Sequence, residues 1–176
     1  EKVEQDVLQD FTTYRLYAQM VENFSVHAVY GTSDEPLVIE TDTYFYQNEL
    51  VGPSSLDLIP LLFPIFPEME WDSYITIGFG DNSQNDLFYI LDTNGFESGG
   101  SIITDNGGWF VIPAGTQGED IEGKVLLAQL TVPTGDKVWG TLNLQGSDDL
   151  GQPFNQTLSF SSCEPDTDGD GDGVND

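Results

Sequence analysis

The sequence predicts an all-β protein, an antiparallel β-sandwich of the jelly-roll type with an acidic Asp/Gly-rich segment at its C-terminal end. Short runs of alternating apolar and polar residues recur along the chain, turn-forming residues separate these runs, and helical periodicity is almost absent. Alternation with a period of two buries one face of a strand in a sheet. About ten such runs at this spacing are typical of two packed sheets.

The composition agrees with a folded domain that carries a strong negative charge. Of the 176 residues, 38% are hydrophobic and 12% are aromatic, and these fractions are too high for a disordered chain. The net charge is −27, from 31 acidic and 4 basic side chains. Such a charge argues against nucleic acid and anionic membranes as partners, and it favours bound cations or a salty environment.

The chain divides into three predicted segments. They are a polar N-terminal arm (1–11), a β-sandwich domain (12–162) and an acidic tail (163–176). No apolar run reaches transmembrane length, so membrane insertion is not expected. The chain begins with Glu1 rather than methionine, as expected of a mature secreted product. Cys163 is the one cysteine, so the prediction is either a buried thiol or a disulfide to a second subunit.

The alternation predicts each strand in turn. In residues 24–30, for example, one face carries Phe24, Val26, Ala28 and Tyr30, and aromatic and β-branched residues are enriched as in strands generally. Clusters of Gly, Asn, Asp and Pro mark the turns between the runs. The predicted strands are 13–20, 24–30, 37–46, 71–79, 87–91, 100–104, 109–113, 124–132, 137–145 and 154–160.

Residues 52–67 interrupt this pattern. Pro60, Pro64 and Pro67 exclude a central strand or a long helix, because proline lacks a backbone N–H and fixes φ. The leucines and isoleucines between the prolines still require burial. We therefore expect a packed loop or a single helical turn that covers a sheet edge or an open end of the sandwich.

The acidic tail has the pattern of a calcium-binding loop. Aspartates occupy every second position from Asp166 to Asp172, with glycines between and after them. Calcium takes oxygen ligands from alternate positions of a tight loop, and glycine supplies the turn that such a loop needs. The predicted cofactor is therefore calcium, and the predicted ligands are Asp166, Asp168, Asp170, Asp172, the Val174 carbonyl and Asp176.

Two parts of the chain resemble known protein families. Residues 166–176 resemble a thrombospondin type 3 or dockerin-like calcium repeat, which implies a linker stiffened by calcium. Residues 12–160 are similar to secreted microbial β-sandwich proteins, some of which build extracellular fibrils by completing the sheet of one subunit with a strand of the next. The stretches that carry this second resemblance are 13–18, 26–31, 70–78, 107–113, 125–132 and 139–145.

Catalytic motifs are weak. His27 is the one histidine, and no Ser or Cys motif accompanies it, so no nucleophilic triad is predicted. Glu68, Glu70 and Asp72 alternate, so in an extended chain they would share one face. Such a set could serve glycoside hydrolysis or hold a cation, although a solvated strand face explains it equally well.

Two features point to glycans. Asn23 and Asn155 begin Asn-X-Ser/Thr sequons, and alternation places Asn155 on the outward face of its strand. Trp71 and Trp139 are candidate sugar-stacking residues. Trp71 shares a face with Ile75 and is therefore expected in the core, whereas Trp139 lies on a polar face.

The function favoured by these features is a non-enzymatic extracellular structural protein, a subunit of a fibre or surface assembly of copies of itself. An extended terminal segment, either the arm or the tail, would add as a strand to the exposed sheet edge of a neighbour. The alternative is a carbohydrate-binding module of a larger secreted protein. A hydrolase that uses Glu68, Glu70 and Asp72 is a third hypothesis.

Overall fold

A computed structural model describes residues 1–113 and 115–162, and these form a β-sandwich of two antiparallel sheets. The strands are β1 (Lys2–Val3), β2 (Phe11–Gln19), β3 (Ser25–Gly31), β4 (Leu37–Thr41), β5 (Tyr74–Ile75), β6 (Phe88–Ile90), β7 (Ile102–Thr104), β8 (Gly107–Phe110), β9 (Lys124–Pro133), β10 (Val138–Ser147) and β11 (Pro153–Ser161). One short helix, α1 (Asn94–Glu97), and three 3-10 turns (Ser55–Asp57, Pro60–Leu62 and Pro67–Trp71) complete the described elements.

The two sheets have four and seven strands. The first sheet has the order β1-β2-β9-β5. In the second sheet, β10 is central and pairs with β11 along one side and with both β3 and β4 along the other. β8 pairs with β3, β7 pairs with β4, and β6 pairs with β8. The predicted antiparallel sandwich is therefore confirmed for the described residues.

β3 and β4 form one interrupted strand along β10. Tyr30 lies opposite Asn143, and Val38 lies opposite Thr141, only two residues away on β10. The residues between Tyr30 and Val38 therefore leave the ladder with β10. The Asn143 amide closes this interruption by donating hydrogen bonds to the Tyr30 carbonyl (3.0 Å) and the Glu35 carbonyl (2.8 Å). Its own carbonyl oxygen accepts a hydrogen bond from Thr157 Oγ1 of β11 (2.7 Å). One buried amide thus joins three segments.

The main core lies between the two sheets. Its fully buried members include Val26 and Leu144 from the second sheet and Ile75 and Leu127 from the first. Trp109 of β8 is also fully buried, and its indole N–H donates to the Thr76 carbonyl (2.8 Å). Period-two alternation predicts the buried residues Val138, Leu142 and Leu144 of β10. It is wrong for β3, where Val29 is fully buried but Ala28 and Tyr30 are half-buried, because the register with β10 shifts between Val26 and Ala28.

Residues 52–67 cover one edge of the first sheet, as predicted. Two of the 3-10 turns lie in this segment, and Ser54 pairs with Ile75 of β5 in an isolated parallel bridge. Leu58 packs with Met69 and Tyr74 in a second, smaller core. Other apolar residues of the same region remain exposed, notably Leu50, Ile59, Leu61, Ile65 and Phe66.

The strand predicted at 71–79 is wrong for most of its length. Residues Pro67–Trp71 form a 3-10 turn, and only Tyr74–Ile75 are a strand. Proline at the start of this turn fixes a helical φ, and Gly78 ends the extended run at φ 80°. Residues 71–77 are all buried, so the alternation in the sequence does not correspond to one buried and one exposed face of a long strand.

The predicted strand 37–46 is also shorter than expected, because β4 ends at Thr41. Residues beyond Thr41 stay partly extended but bond to loops and to the first sheet: Phe45 N–H donates to the Gly99 carbonyl, and Tyr46 N–H donates to the Thr131 carbonyl. Within the described ranges, no helix has the length and apolar character needed to cross a membrane. The six predicted calcium ligands of the tail and Cys163 lie outside the described residues.

Candidate functional site: a groove between two sheet edges

β2 leaves part of its outer edge without a strand partner. β1 pairs only with Thr13 and Tyr14, and Glu1 adds two backbone hydrogen bonds to Arg15. From Leu16 to Gln19, no other strand in the described part of the chain lies on this side of β2. Backbone amides at such an edge are a template for an added strand.

β11 forms the corresponding edge of the second sheet. It pairs with β10 over its whole length, and β10 is its one strand partner among the described residues. Phe154, Leu158 and Phe160 are half-buried and pack against the main core, whereas Asn155, Thr157 and Ser159 are exposed. The inner face of this edge strand is therefore apolar, and its outer face is polar.

The β2 and β11 edges bound an open groove, which we call the edge groove. It has a cavity volume of about 610 Å³. Its floor includes the core residues Leu127, Leu142 and Leu144, which are almost fully buried, so the apolar surface of the groove comes mainly from its half-buried walls. Its walls are Leu16 to Val21 from β2 and its extension, Phe24, and, from β11, Phe154, Asn155, Gln156, Leu158, Ser159 and Phe160.

Basic side chains gather on the β2 side of this groove. Lys124 Nζ lies 2.9 Å from Glu1 Oε2 and 4.4 Å from the centre of the Tyr17 ring. Its hydrogen bond and charge lower the pKa of the Glu1 carboxyl, and the same hydrogen bond raises the pKa of Lys124. Arg15 Nε donates to Gln129 Oε1 (3.1 Å). The chain has only four basic side chains, so Arg15 and Lys124 together are a local exception to the acidic surface.

The N-terminal arm approaches the end of the groove within its own chain. Glu1 to Val3 lie against residues 13–15 of β2, and the Gln5 side chain closes the return to β2 by donating to the Leu8 and Phe11 carbonyls. β2 begins at Phe11, so the arm ends at Asp10. A second, smaller cavity is lined by Glu1, Leu16, Tyr17, Phe160 and Ser162, among others, and extends the edge groove toward the arm.

The two tryptophans proposed for sugar stacking lie in different environments. Trp71 is 9% exposed, within the 3-10 turn, so its ring offers no surface to a polysaccharide. Trp139 is half-buried on the outer side of β10, with Glu40 and Ser161 as its neighbours in the ladder. The structure therefore does not bring them together into one platform.

Both sequon asparagines are exposed. Asn23 has a φ of 66°, and its N–H donates to Asp120 Oδ1. Asn155 faces outward from β11, as predicted, and its Oδ1 accepts a hydrogen bond from the Tyr30 hydroxyl (3.2 Å). Ser25, the third residue of the first sequon, is half-buried, and its Oγ lies 2.8 Å from His27 Nε2.

The three alternating carboxylates do not share a face. Glu68 is exposed, Glu70 is half-buried and Asp72 is fully buried, because the segment is a 3-10 turn and not a strand. They therefore do not form the open carboxylate pair that glycoside hydrolysis requires. Burial lowers the pKa of His27, whose Nε2 lies within hydrogen-bond distance of Ser25 Oγ.

The edge groove was not predicted from the sequence. Its sequence signal is the pair of terminal strand patterns, 13–20 and 154–160, each with an apolar face, but alternation does not show which strands lie at an edge. Over residues 1–113 and 115–162, no group of three or more His, Cys, Asp or Glu side chains is placed to hold a metal ion. The sequence matches no family model, and no curated protein or solved structure shows significant similarity to it.

Proposed function

We propose that this protein is a non-enzymatic, extracellular structural subunit that assembles with copies of itself by strand addition. The single observation that carries the proposal is the edge groove, where the open edges of two sheets flank half-buried apolar side chains. An added strand would satisfy edge amides and cover apolar area at once, which is the chemistry of β-strand addition.

The proposed donor is the N-terminal arm of a second copy. In an extended arm, Val3, Gln5 and Val7 share one face, so two apolar side chains could enter the groove while Glu4 and Asp6 face outward. The arm has ten residues before β2, which matches the nine residues of β11. Its four acidic side chains are complementary to Arg15 and Lys124 at the groove.

Other parts of the proposal concern regions and properties beyond the groove. We propose that Asp166, Asp168, Asp170, Asp172, Val174 and Asp176 bind calcium and stiffen the exit from the sandwich.

We assign the sandwich to the jelly-roll class, because the chain passes between the sheets from β2 to β3 and again from β9 to β10. Asn23 and Asn155 are the proposed glycan sites, since both side chains are exposed.

Electron microscopy of the full chain in calcium tests this function. We expect filaments or sheets, and a monodisperse monomer at high concentration in excess calcium would refute the proposal. Leu158→Glu places a charge in the groove and should abolish assembly. Gln145→Glu is its control, because this exposed residue of β10 does not line the groove, and this variant should still assemble.

The donor is tested separately. Val3→Ser combined with Val7→Ser should prevent assembly, whereas Glu4→Gln combined with Asp6→Asn should not. A synthetic peptide of residues 1–10 should bind the chain that lacks them and should fail to bind the Leu158→Glu variant. If the chain still assembled without residues 1–10, another segment would be the donor strand and this assignment would be refuted.

A second candidate, a carbohydrate-binding module, is favoured by Trp139 alone, whose half-buried ring lies on the outer side of β10. It predicts retention on a polysaccharide that Trp139→Ala abolishes. Trp71→Ala should affect stability instead, because Trp71 is buried.

A further inference from the structure

Three chain segments meet beside the smaller core and bring buried polar groups together. Asn48 N–H donates to Asp72 Oδ1 (2.6 Å), Ser73 N–H donates to the Tyr46 carbonyl (3.2 Å), and Phe45 N–H donates to the Gly99 carbonyl (2.8 Å). The segments are 45–48, 71–73 and 96–99. In an extended run, Gln47 shares the side of Phe45, and Phe45 packs against Phe96 of α1, so Gln47 faces the α1 side.

Most of the buried polar side-chain atoms without a hydrogen-bond partner are concentrated on these segments. Across the described part of the chain there are six such atoms, and five belong here: Gln47 Oε1 and Nε2, Trp71 Nε1, Asp72 Oδ2 and Glu97 Oε1. Asp72 is fully buried. Buried polar atoms in native proteins nearly always have partners, so this concentration indicates a missing ligand.

The charge at this place is also uncompensated. The described residues contain one ion pair, Lys124 with Glu1, and neither residue belongs to these segments. Burial, the largest cause, raises the pKa of Asp72 to about 8, and the charges of Glu97 and Asp57 act in the same direction. The backbone N–H groups of Asn48 and Ser73 oppose this shift. Burial also raises the pKa of Glu97, and a bound cation would favour the ionised form of both carboxyl groups.

We propose that Gln47, Asp72 and Glu97 bind a divalent cation inside the sandwich, through Gln47 Oε1, Asp72 Oδ2 and Glu97 Oε1. Hard cations such as calcium prefer carboxylate and amide oxygens, and two carboxylates balance a charge of two. The third oxygen comes from an amide, so the set differs from a purely acidic cluster. None of the three proposed ligands belongs to the tail, and the proposal does not depend on the proposed assembly.

Thermal unfolding of a full-length chain with Asp166, Asp168, Asp170, Asp172 and Asp176 changed to Ala separates this site from the tail, because alanine offers calcium no side-chain oxygen. After treatment with a chelator, calcium in hundredfold excess over its dissociation constant should raise the melting temperature by roughly 5–10 °C. Glu97→Gln and Asp72→Asn should lose this rise. Glu68→Gln, an exposed acid on the adjacent turn, should keep it. Magnesium in place of calcium tests the choice of ion.

Terbium provides a direct readout. Trp71 adjoins the proposed site, so tryptophan-sensitised terbium emission, measured in the same tail variant, should report this site. Emission should fall in Glu97→Gln and on adding calcium. If Asp72→Asn fails to fold, Glu97→Gln and Gln47→Leu decide the question. Calcium-independent melting, or an equal calcium shift in Glu97→Gln, would overturn the proposal in favour of a proton shared between the carboxyl groups.

Discussion

Phe154 of β11 covers Gly146 of β10, its partner in the ladder. A Cβ on Gly146 would lie 2.5 Å from Phe154 Cζ and 2.0 Å from the Ser25 carbonyl oxygen. Phe160 covers Gly140 in the same way, with its Cε1 2.9 Å from an added Cβ. The rings of Phe154 and Phe160 thus pack against two glycines of β10, and the same rings line the edge groove.

Gly146→Ala should therefore destabilise the protein by about 1–3 kcal/mol, because the Ser25 backbone or the Phe154 ring must move. Urea denaturation would measure this cost. Gly95→Ala in α1 is the control, since an added Cβ there meets nothing within 4 Å, and we expect up to about 1 kcal/mol of stabilisation. Equal stability of the Gly146→Ala variant and the unchanged protein would contradict the close packing of Phe154.

Asn143→Ala should cost about 2 kcal/mol or more, because it leaves the Tyr30 and Glu35 carbonyls and the Thr157 hydroxyl without their buried partner. The midpoint of denaturation should fall without a change in slope. Gln145→Ala, at the next exposed position of β10, should have almost no effect. If Asn143→Ala changed the free energy of unfolding only slightly, water would replace the hydrogen bonds of the Asn143 amide.

In chelator, the unfolding free energy should fall as the pH rises from about 4 to about 8. The pKa of Asp72 is near 3.8 in the unfolded chain and about 8 in the fold, so between these values the folded state binds the extra proton. The stabilisation is complete below the unfolded pKa and is lost as the pH passes the folded pKa, at a rate of at most about 1.4 kcal/mol per pH unit.

Asp72→Asn should flatten this pH dependence. Melting curves at several pH values compare it with the parent chain, and Glu68→Gln serves as a control with an unchanged slope. Stability that rises with pH over this range would show that Asp72 is ionised in the fold even without a cation.

Lys124→Gln should leave the melting temperature nearly unchanged, because the ion pair with Glu1 is exposed and screened by solvent. Amide hydrogen exchange in residues 1–3 and 13–15 should become faster, since Glu1 loses the side chain that holds it beside β2. Lys137→Gln is the matched control, and it should leave exchange at the arm unchanged. If the exchange rates are unchanged in both variants, the backbone hydrogen bonds alone hold the arm beside β2.

Local alternation was sufficient to predict much of the fold. It located β9, β10 and β11 to within two residues at each end, because their inward residues form the main core. It failed at 71–79, where residues 71–77 are all buried although only Tyr74–Ile75 form a strand. Period-two patterns report which side chains are buried, and several backbone conformations can bury the same set.

The candidate sites were harder to predict, because each depends on contacts between distant segments. The edge groove requires that β2 and β11 be edge strands, and strand order is not encoded in local periodicity. The buried set of Gln47, Asp72 and Glu97 joins residues that are separated by up to fifty positions in the chain. The alternation of Glu68, Glu70 and Asp72 in the sequence does not show that Asp72 is buried and Glu68 exposed.

The arm that lies along β2 within its own chain has a consequence for the start of polymerisation. Under the proposed function, each subunit's own arm must leave residues 13–15 before it can reach another molecule. Because it is tethered to β2, each subunit's own arm competes with the arms of other molecules at an effective concentration in the millimolar range. Growth should therefore need a critical concentration and a slow nucleation phase, and dilute protein should persist as closed monomers.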